Sequence, residues 1–144
     1  MTKSVIAGAL TGLRILVAED EYFIASDTAR QLEEAGAMIV GPFATLQQVE
    51  DQVERDGFDV ALLDIRLDQD LVFPAADMLQ QTGVPVAFLT GYDEAFLPPR
   101  FEGVPLCRKP CGERSLIAMI GELVDQRSPQ RAAQPLDIES PTRL

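Results

Sequence analysis

Five apolar runs recur along the chain without the polar alternation of a half-solvated strand: LRILVA (13 to 18), AMIV (37 to 40), DVALLD (59 to 64), PVAFLT (85 to 90) and VPLCR (104 to 108). Continuous runs suit strands covered on both faces, as in a parallel sheet. The segments between them carry a helical period. Ile24, Thr28, Leu32 and Ala35 recur near every fourth position and stop at Gly36; Leu46, Val49 and Val53 follow a Thr45 cap and stop at Gly57. Pro74 opens a shorter segment that reaches Gln81 before Gly83, and Leu116, Ile117, Ile120, Leu123 and Val124 form a one-sided stripe near the end. Strand and helix therefore alternate, which predicts an α/β doubly wound sheet of five strands with four or five helices. The exception is 93 to 103, where adjacent Pro98 and Pro99 argue against a regular helix.

A chain of 144 residues with 47% apolar content is sized for one ordinary domain with a real core. Residues 1–12 read as an N-terminal extension, 13–127 as the domain, and 128–144, rich in proline and without periodicity, as a disordered tail. No run is long and apolar enough to span a bilayer, and the start makes a poor signal peptide, so a soluble cytoplasmic protein is expected. The formal charge of −11 would repel a phosphate backbone or an anionic membrane surface, which excludes direct nucleic-acid and membrane partners. With no histidine in the chain, imidazole acid–base chemistry, a Ser/His/Asp triad and His-based zinc sites are excluded as well. Cys107 and Cys111 cannot complete a zinc site alone, and two reduced thiols packed as small apolar groups are expected.

Parallel α/β sheets work at the carboxyl ends of their strands. There the first run ends in Glu19 and Asp20, the third in Asp64, the fourth in Thr90 and the fifth in Arg108 and Lys109. Like-charged carboxylates beside a low-dielectric interior either protonate or recruit a cation. Magnesium, which takes hard oxygen ligands from one or two carboxylates, waters and a phosphate, matches this set. A metal-supported aspartate can attack a phosphoryl group, and a lysine and a hydroxyl would complete the charge neutralisation. A solvated helix start would explain Glu19 to Glu21 alone, and a turn would explain Thr90 with Gly91. Asp64 could cap a loop, with Asp68 or Asp70 reactive instead, and Lys109 could be a surface charge. Such residues at four strand ends together favour one common site.

The motifs LVAEDE, ALLDIRL, FLTGY and RKP, in this order, resemble a two-component response-regulator receiver domain over about residues 13 to 126. The resemblance implies a flavodoxin-like five-stranded parallel sheet of order 2-1-3-4-5. It also implies Mg²⁺ at Glu19, Asp20, Asp64 and the backbone carbonyl of Arg66, phosphorylation of Asp64 by a sensor histidine kinase or histidine phosphotransferase, and phosphoryl contacts from Thr90 and Lys109. Leu106 stands where the family usually carries a switch aromatic, and Cys111 where phenylalanine usually follows Lys-Pro. The stretch from Thr90 to Lys109 is short, so a truncated or irregular fourth helix is expected. Phe88, Thr90, Gly91 and Tyr92 partly resemble an atypical single-domain subclass named for a Phe-Ala-Thr-Gly-X-Tyr motif, with Leu89 in place of alanine and Tyr92 one place early.

The expected function is a stand-alone receiver that signals by phosphorylation-dependent protein contact, with no enzymatic activity beyond its own phosphorylation and dephosphorylation. A phosphate sink for a kinase and a Mg²⁺-dependent small-molecule phosphohydrolase are the alternatives. Phosphorylation is expected to reorder the segment 91 to 103, which a partner would read.

Overall fold

The computed structural model describes residues 8–91 and 97–126. The elements in chain order are β1 (Arg14–Ala18), α1 (Tyr22–Glu34), β2 (Met38–Phe43), α2 (Leu46–Arg55), β3 (Val60–Asp64), β4 (Arg66–Leu67), β5 (Asp70–Leu71), α3 (Phe73–Gln81), β6 (Val86–Thr90), a 3₁₀ turn at Pro99–Phe101, β7 (Leu106–Arg108) and α4 (Glu113–Asp125). The main sheet is parallel with spatial order β2-β1-β3-β6-β7. The short β4–β5 hairpin stands outside it, so the five main strands follow the 2-1-3-4-5 order of a doubly wound fold.

Alternate residues of the central strands feed two cores. Leu16, Ala18, Ala61 and Leu63 face one side with Val49, Val53 and Leu79 of α2 and α3. Ile15, Val17, Val60 and Leu62 face the other with Leu32 of α1 and Leu116, Ile120 and Leu123 of α4. Burial on both faces is the reason these strands read as unbroken apolar runs. β2 is an edge strand and is only partly covered. The core also reaches back to Leu10, which is buried and donates its N–H to the carbonyl of Ala35 at 2.7 Å.

Local chemistry agrees with these boundaries. Thr45 caps α2 in a reciprocal box: its hydroxyl accepts the Gln48 N–H at 3.1 Å, and the Gln48 side chain accepts the Thr45 N–H at 3.3 Å. Between Leu16 and Ala18 the register of β2 slips, pairing these residues with Val40 and Phe43. The slip occurs at Gly41, whose φ of +110° and 2.9 Å approach of an added Cβ to the Val17 carbonyl leave room for glycine alone. The displaced Phe43 carbonyl then accepts the Glu19 N–H at 2.9 Å and fixes the residue that leaves β1.

No α-helix occurs between β6 and β7 among the described residues. Phe101 instead inserts into the core, stacked on Phe73 at 5.2 Å and edge-on to Phe88 at 5.4 Å. Arg100 lies 4.7 Å over the Phe101 ring and pairs in bidentate fashion with Asp77 of α3 at 2.9 and 3.0 Å. One expectation is corrected: Cys107 and Cys111 are bonded to each other as a disulfide, not two free thiols. Reduced thiols were the expectation because two cysteines four positions apart carry no pairing signal in the sequence, whereas the fold brings their Cα atoms to 5.9 Å, within bridging range. Tyr92, 93 to 96, the first seven residues and the tail from 127 lie outside the described residues.

Candidate functional site

Three strands deliver the site. Glu19 leaves β1, Asp64 ends β3 and Lys109 follows β7, so residues 45 and 90 positions apart meet at one sheet edge. The Lys109 ammonium donates to Asp64 Oδ2 at 2.9 Å and to Glu19 Oε1 and Oε2 at 3.2 and 3.4 Å. The Lys109 backbone N–H is held by the Thr90 carbonyl at 2.8 Å, which locks this residue to the end of β6. Glu19 and Asp64 are buried, 2% and 4% exposed, whereas Asp20 is exposed.

The charges do not balance. Two buried carboxylates face one ammonium, with Asp20 close by; one oxygen from each of Glu19, Asp20 and Asp64 lies within 4.8 Å of the others. Burial pushes the Glu19 carboxyl up to about 7, assisted by the Asp64 charge and opposed by the Glu21 N–H at 3.0 Å and by Lys109. For Lys109, burial favours the neutral form, but the hydrogen bond and charge of Asp64, with those of Glu19, outweigh it and hold the ammonium above its usual range. Three hard oxygen donors converging on unbalanced negative charge are a donor set that fits a divalent cation.

Asp20 is placed by the β4–β5 hairpin. Asp68, in the left-handed region at φ +58°, opens its two-residue turn and donates its N–H to Asp20 Oδ2 at 2.8 Å. Asp68 thus enters the site through its backbone, and Asp70 lies on β5. The Arg66 N–H reaches Asp64 Oδ1 at 3.3 Å. A cavity of about 450 Å³ opens onto the cluster, lined by Asp20, Asp64, Arg66, Asp68, Gly91 and Lys109 together with Glu21 and Ile24 of the α1 start. Thr90 does not line it: its hydroxyl donates to the Gly91 carbonyl at 3.0 Å, and it is 1% exposed.

Sequence reasoning passed over Tyr22 and Phe23. They lie in sequence between Glu21 and Ile24, which line the cavity, and are 74% and 82% exposed and packed edge-on at 5.3 Å. Their only signal in the sequence was two aromatics directly after the acidic triplet.

The model of the response regulator receiver domain matches residues 15–120. The chain belongs to the response-regulator receiver family. It is therefore the receiver domain of a two-component system, a family of signalling domains that interact with histidine kinases. Among curated proteins, the transcriptional regulatory protein PdtaR of Mycobacterium tuberculosis is 30% identical over 95 residues, 65% of this chain and 46% of PdtaR. The chain thus matches under half the length of that relative. The solution structure of SdrG from Sphingomonas melonis Fr1 superposes with a TM-score of 0.72 at 31% identity, covering 81% of this chain and 98% of SdrG. The anti-anti-sigma factor PhyR from Bartonella quintana gives a TM-score of 0.69 at 28% identity, over 78% of this chain and 47% of PhyR. No helix among the described residues is long and apolar enough to cross a membrane.

Proposed function

We propose that this receiver accepts a phosphoryl group on Asp64 and signals through a phosphorylation-dependent protein contact. The carrying observation is the Lys109 ammonium held between Asp64 and Glu19 at the floor of an open acidic cavity. In this reading a carboxylate oxygen of Asp64 attacks phosphorus, the bond to the donor's imidazole nitrogen breaks, and an acyl phosphate remains. Asp64 already points its oxygens at donors, and the cavity beside it is lined in part by Glu21 and Ile24 at the α1 start, where the donor would enter. Lys109 would exchange its hold on Asp64 Oδ2 for a phosphoryl oxygen, and Glu19 would keep the ammonium near during the exchange. Glu19, Asp20 and Asp64, with the Arg66 carbonyl, would hold Mg²⁺, which when bound neutralises charge on the transferred group. Thr90 would have to release the Gly91 carbonyl to reach the phosphoryl group, which makes its hydroxyl a two-position element.

The exposed Tyr22 and Phe23 at the start of α1 suit the contact with a phosphohistidine donor, a sensor histidine kinase or histidine phosphotransferase. The likeness to an anti-anti-sigma factor and the partial Phe-Ala-Thr-Gly-X-Tyr motif support an output through a protein partner rather than through nucleic acid. Intact-mass measurement after Mg²⁺ and acetyl phosphate tests the assignment: one phosphoryl adduct is expected on the wild type and none on Asp64→Asn. An adduct that survives in Asp64→Asn would overturn it.

A further inference from the structure

We propose that Cys107 and Cys111 are a reversible dithiol/disulfide modification site, in which the oxidised bridge clamps Lys109 in the carboxylate cluster. The effect of that clamp on phosphoryl acceptance rests on the reading of Asp64 and Lys109 given above; the clamp itself does not.

The bridge joins residues four positions apart and encloses only Arg108, Lys109 and Pro110. A disulfide removes unfolded-chain entropy in proportion to the logarithm of the loop it closes, so a loop this short stabilises the fold least. The sheet already has a buried core on each face. The effect of the bridge therefore falls on the three enclosed residues, and the middle one carries the ammonium of the site. Lys109 is held from two other directions, by the Thr90 carbonyl at 2.8 Å and by Asp64 and Glu19. Both anchors belong to the functional edge, so freedom in the 107–111 loop is felt there directly.

Access is also present. Both cysteines are partly exposed. A second cavity, of about 310 Å³, lies between α1 and this loop and is lined by Phe23, Ile24, Thr28, Lys109, Pro110 and Cys111. A small hydroperoxide or dithiol can enter it.

The chemistry balances with those two co-reactants. A hydroperoxide takes one thiol to the sulfenic acid and leaves as the alcohol, or as water for hydrogen peroxide. The second thiol then displaces hydroxide from the sulfenic sulfur, and S–S bond formation releases water. A small dithiol reverses this: its thiolate attacks one sulfur, its second thiol resolves the mixed disulfide, and two protein thiols and a cyclic disulfide result.

The test uses the full chain, treated with hydrogen peroxide or with dithiothreitol. Alkylation with intact-mass readout should find no reactive thiol after peroxide and two after dithiothreitol. Hydrogen exchange in peptides spanning 104–112 should be severalfold faster in the reduced form, with 60–64 unchanged. The double variant Cys107→Ser, Cys111→Ser should exchange at the reduced rate under both treatments. Thiols that stay reactive after peroxide, or equal exchange in the two forms, would overturn the proposal. Acetyl phosphate should label the oxidised form severalfold faster than the reduced form, and equal rates would remove the functional half. No adduct in any form would instead refute the phosphoacceptor reading, while the exchange result still decides the clamp.

Discussion

The two ends of the parallel sheet each hold a buried carboxylate against a cation, and they are built to opposite ends. At the amino edge Asp59 receives three donors from Arg14: the backbone N–H at 2.9 Å, Nε at 3.2 Å and Nη2 at 3.1 Å. The Arg14 guanidinium holds Asp59 in a bidentate fork, with side chains 13% and 3% exposed. At the carboxyl edge one Lys109 ammonium is shared by Glu19 and Asp64 beside exposed Asp20, under an open cavity. The first arrangement fastens β1 to the start of β3. The second leaves negative charge to be neutralised by something that arrives. A site that must receive a cation and a phosphoryl group cannot also satisfy itself, and the imbalance distinguishes a functional cluster from a structural one in the same fold.

The largest expected effect breaks the Arg14–Asp59 fork. Asp59→Ala leaves the largely buried Arg14 guanidinium without its partner and should cost about 3 kcal/mol or more in urea denaturation. Asp64→Asn, at the other end, removes like-charge repulsion with Glu19 and should be neutral or stabilising. Equal losses from both variants would erase the distinction.

The next effect is in pH. The folded-state pKa of Glu19 is raised from 4.5 to about 7, so the folded protein holds this proton more tightly than the unfolded chain. Its contribution to stability is complete below 4.5 and is lost as pH rises through about 7. With a chelator present, the wild type should lose on the order of 2 kcal/mol of stability across this window, and Glu19→Gln should flatten that part of the curve.

Smaller again is the response to cation. Magnesium at about ten times its dissociation constant should add about 1.4 kcal/mol to stability. Asp20→Asn should reduce this gain more than Glu19→Gln does, because Glu19 is already engaged by Lys109 and the Glu21 N–H. The opposite order, read from melting midpoints with and without magnesium, would reverse the ligand roles.

The smallest effect sharpens the comparison by geometry. Arg100 and Asp77 form the same bidentate fork as Arg14 and Asp59, but with side chains 55% and 36% exposed. Arg100→Ala should therefore cost far less stability than Asp59→Ala in the same urea denaturation, even with its contact over Phe101. Because Phe101 is anchored in the core, the response expected for 91 to 103 should concentrate near Gly91 and spare Pro99–Phe101. Hydrogen exchange with a beryllofluoride phosphoryl mimic reads this directly.

Periodicity alone determined the alternation of strands and helices, because burial on both faces writes an unbroken apolar run and burial on one helix face writes a stripe. The rule that parallel sheets work at their carboxyl ends puts Glu19, Asp20, Asp64 and Lys109 on one edge from strand order alone. These signals are local, or follow from strand order. What the tertiary structure decided is long-range or geometric. Neither Arg14 nor Asp59 stands out in the sequence, and their pairing spans 45 positions. The difference between buried Glu19 and exposed Asp20, adjacent and alike in charge, comes from the register slip at Gly41 and the turn at Asp68. The bond between Cys107 and Cys111 needed the chain reversal that brings their Cα atoms to 5.9 Å. Thr90 showed its type in the sequence but not the direction of its hydroxyl, because a rotamer is chosen by whichever acceptor the packed backbone brings within reach, here the carbonyl of Gly91.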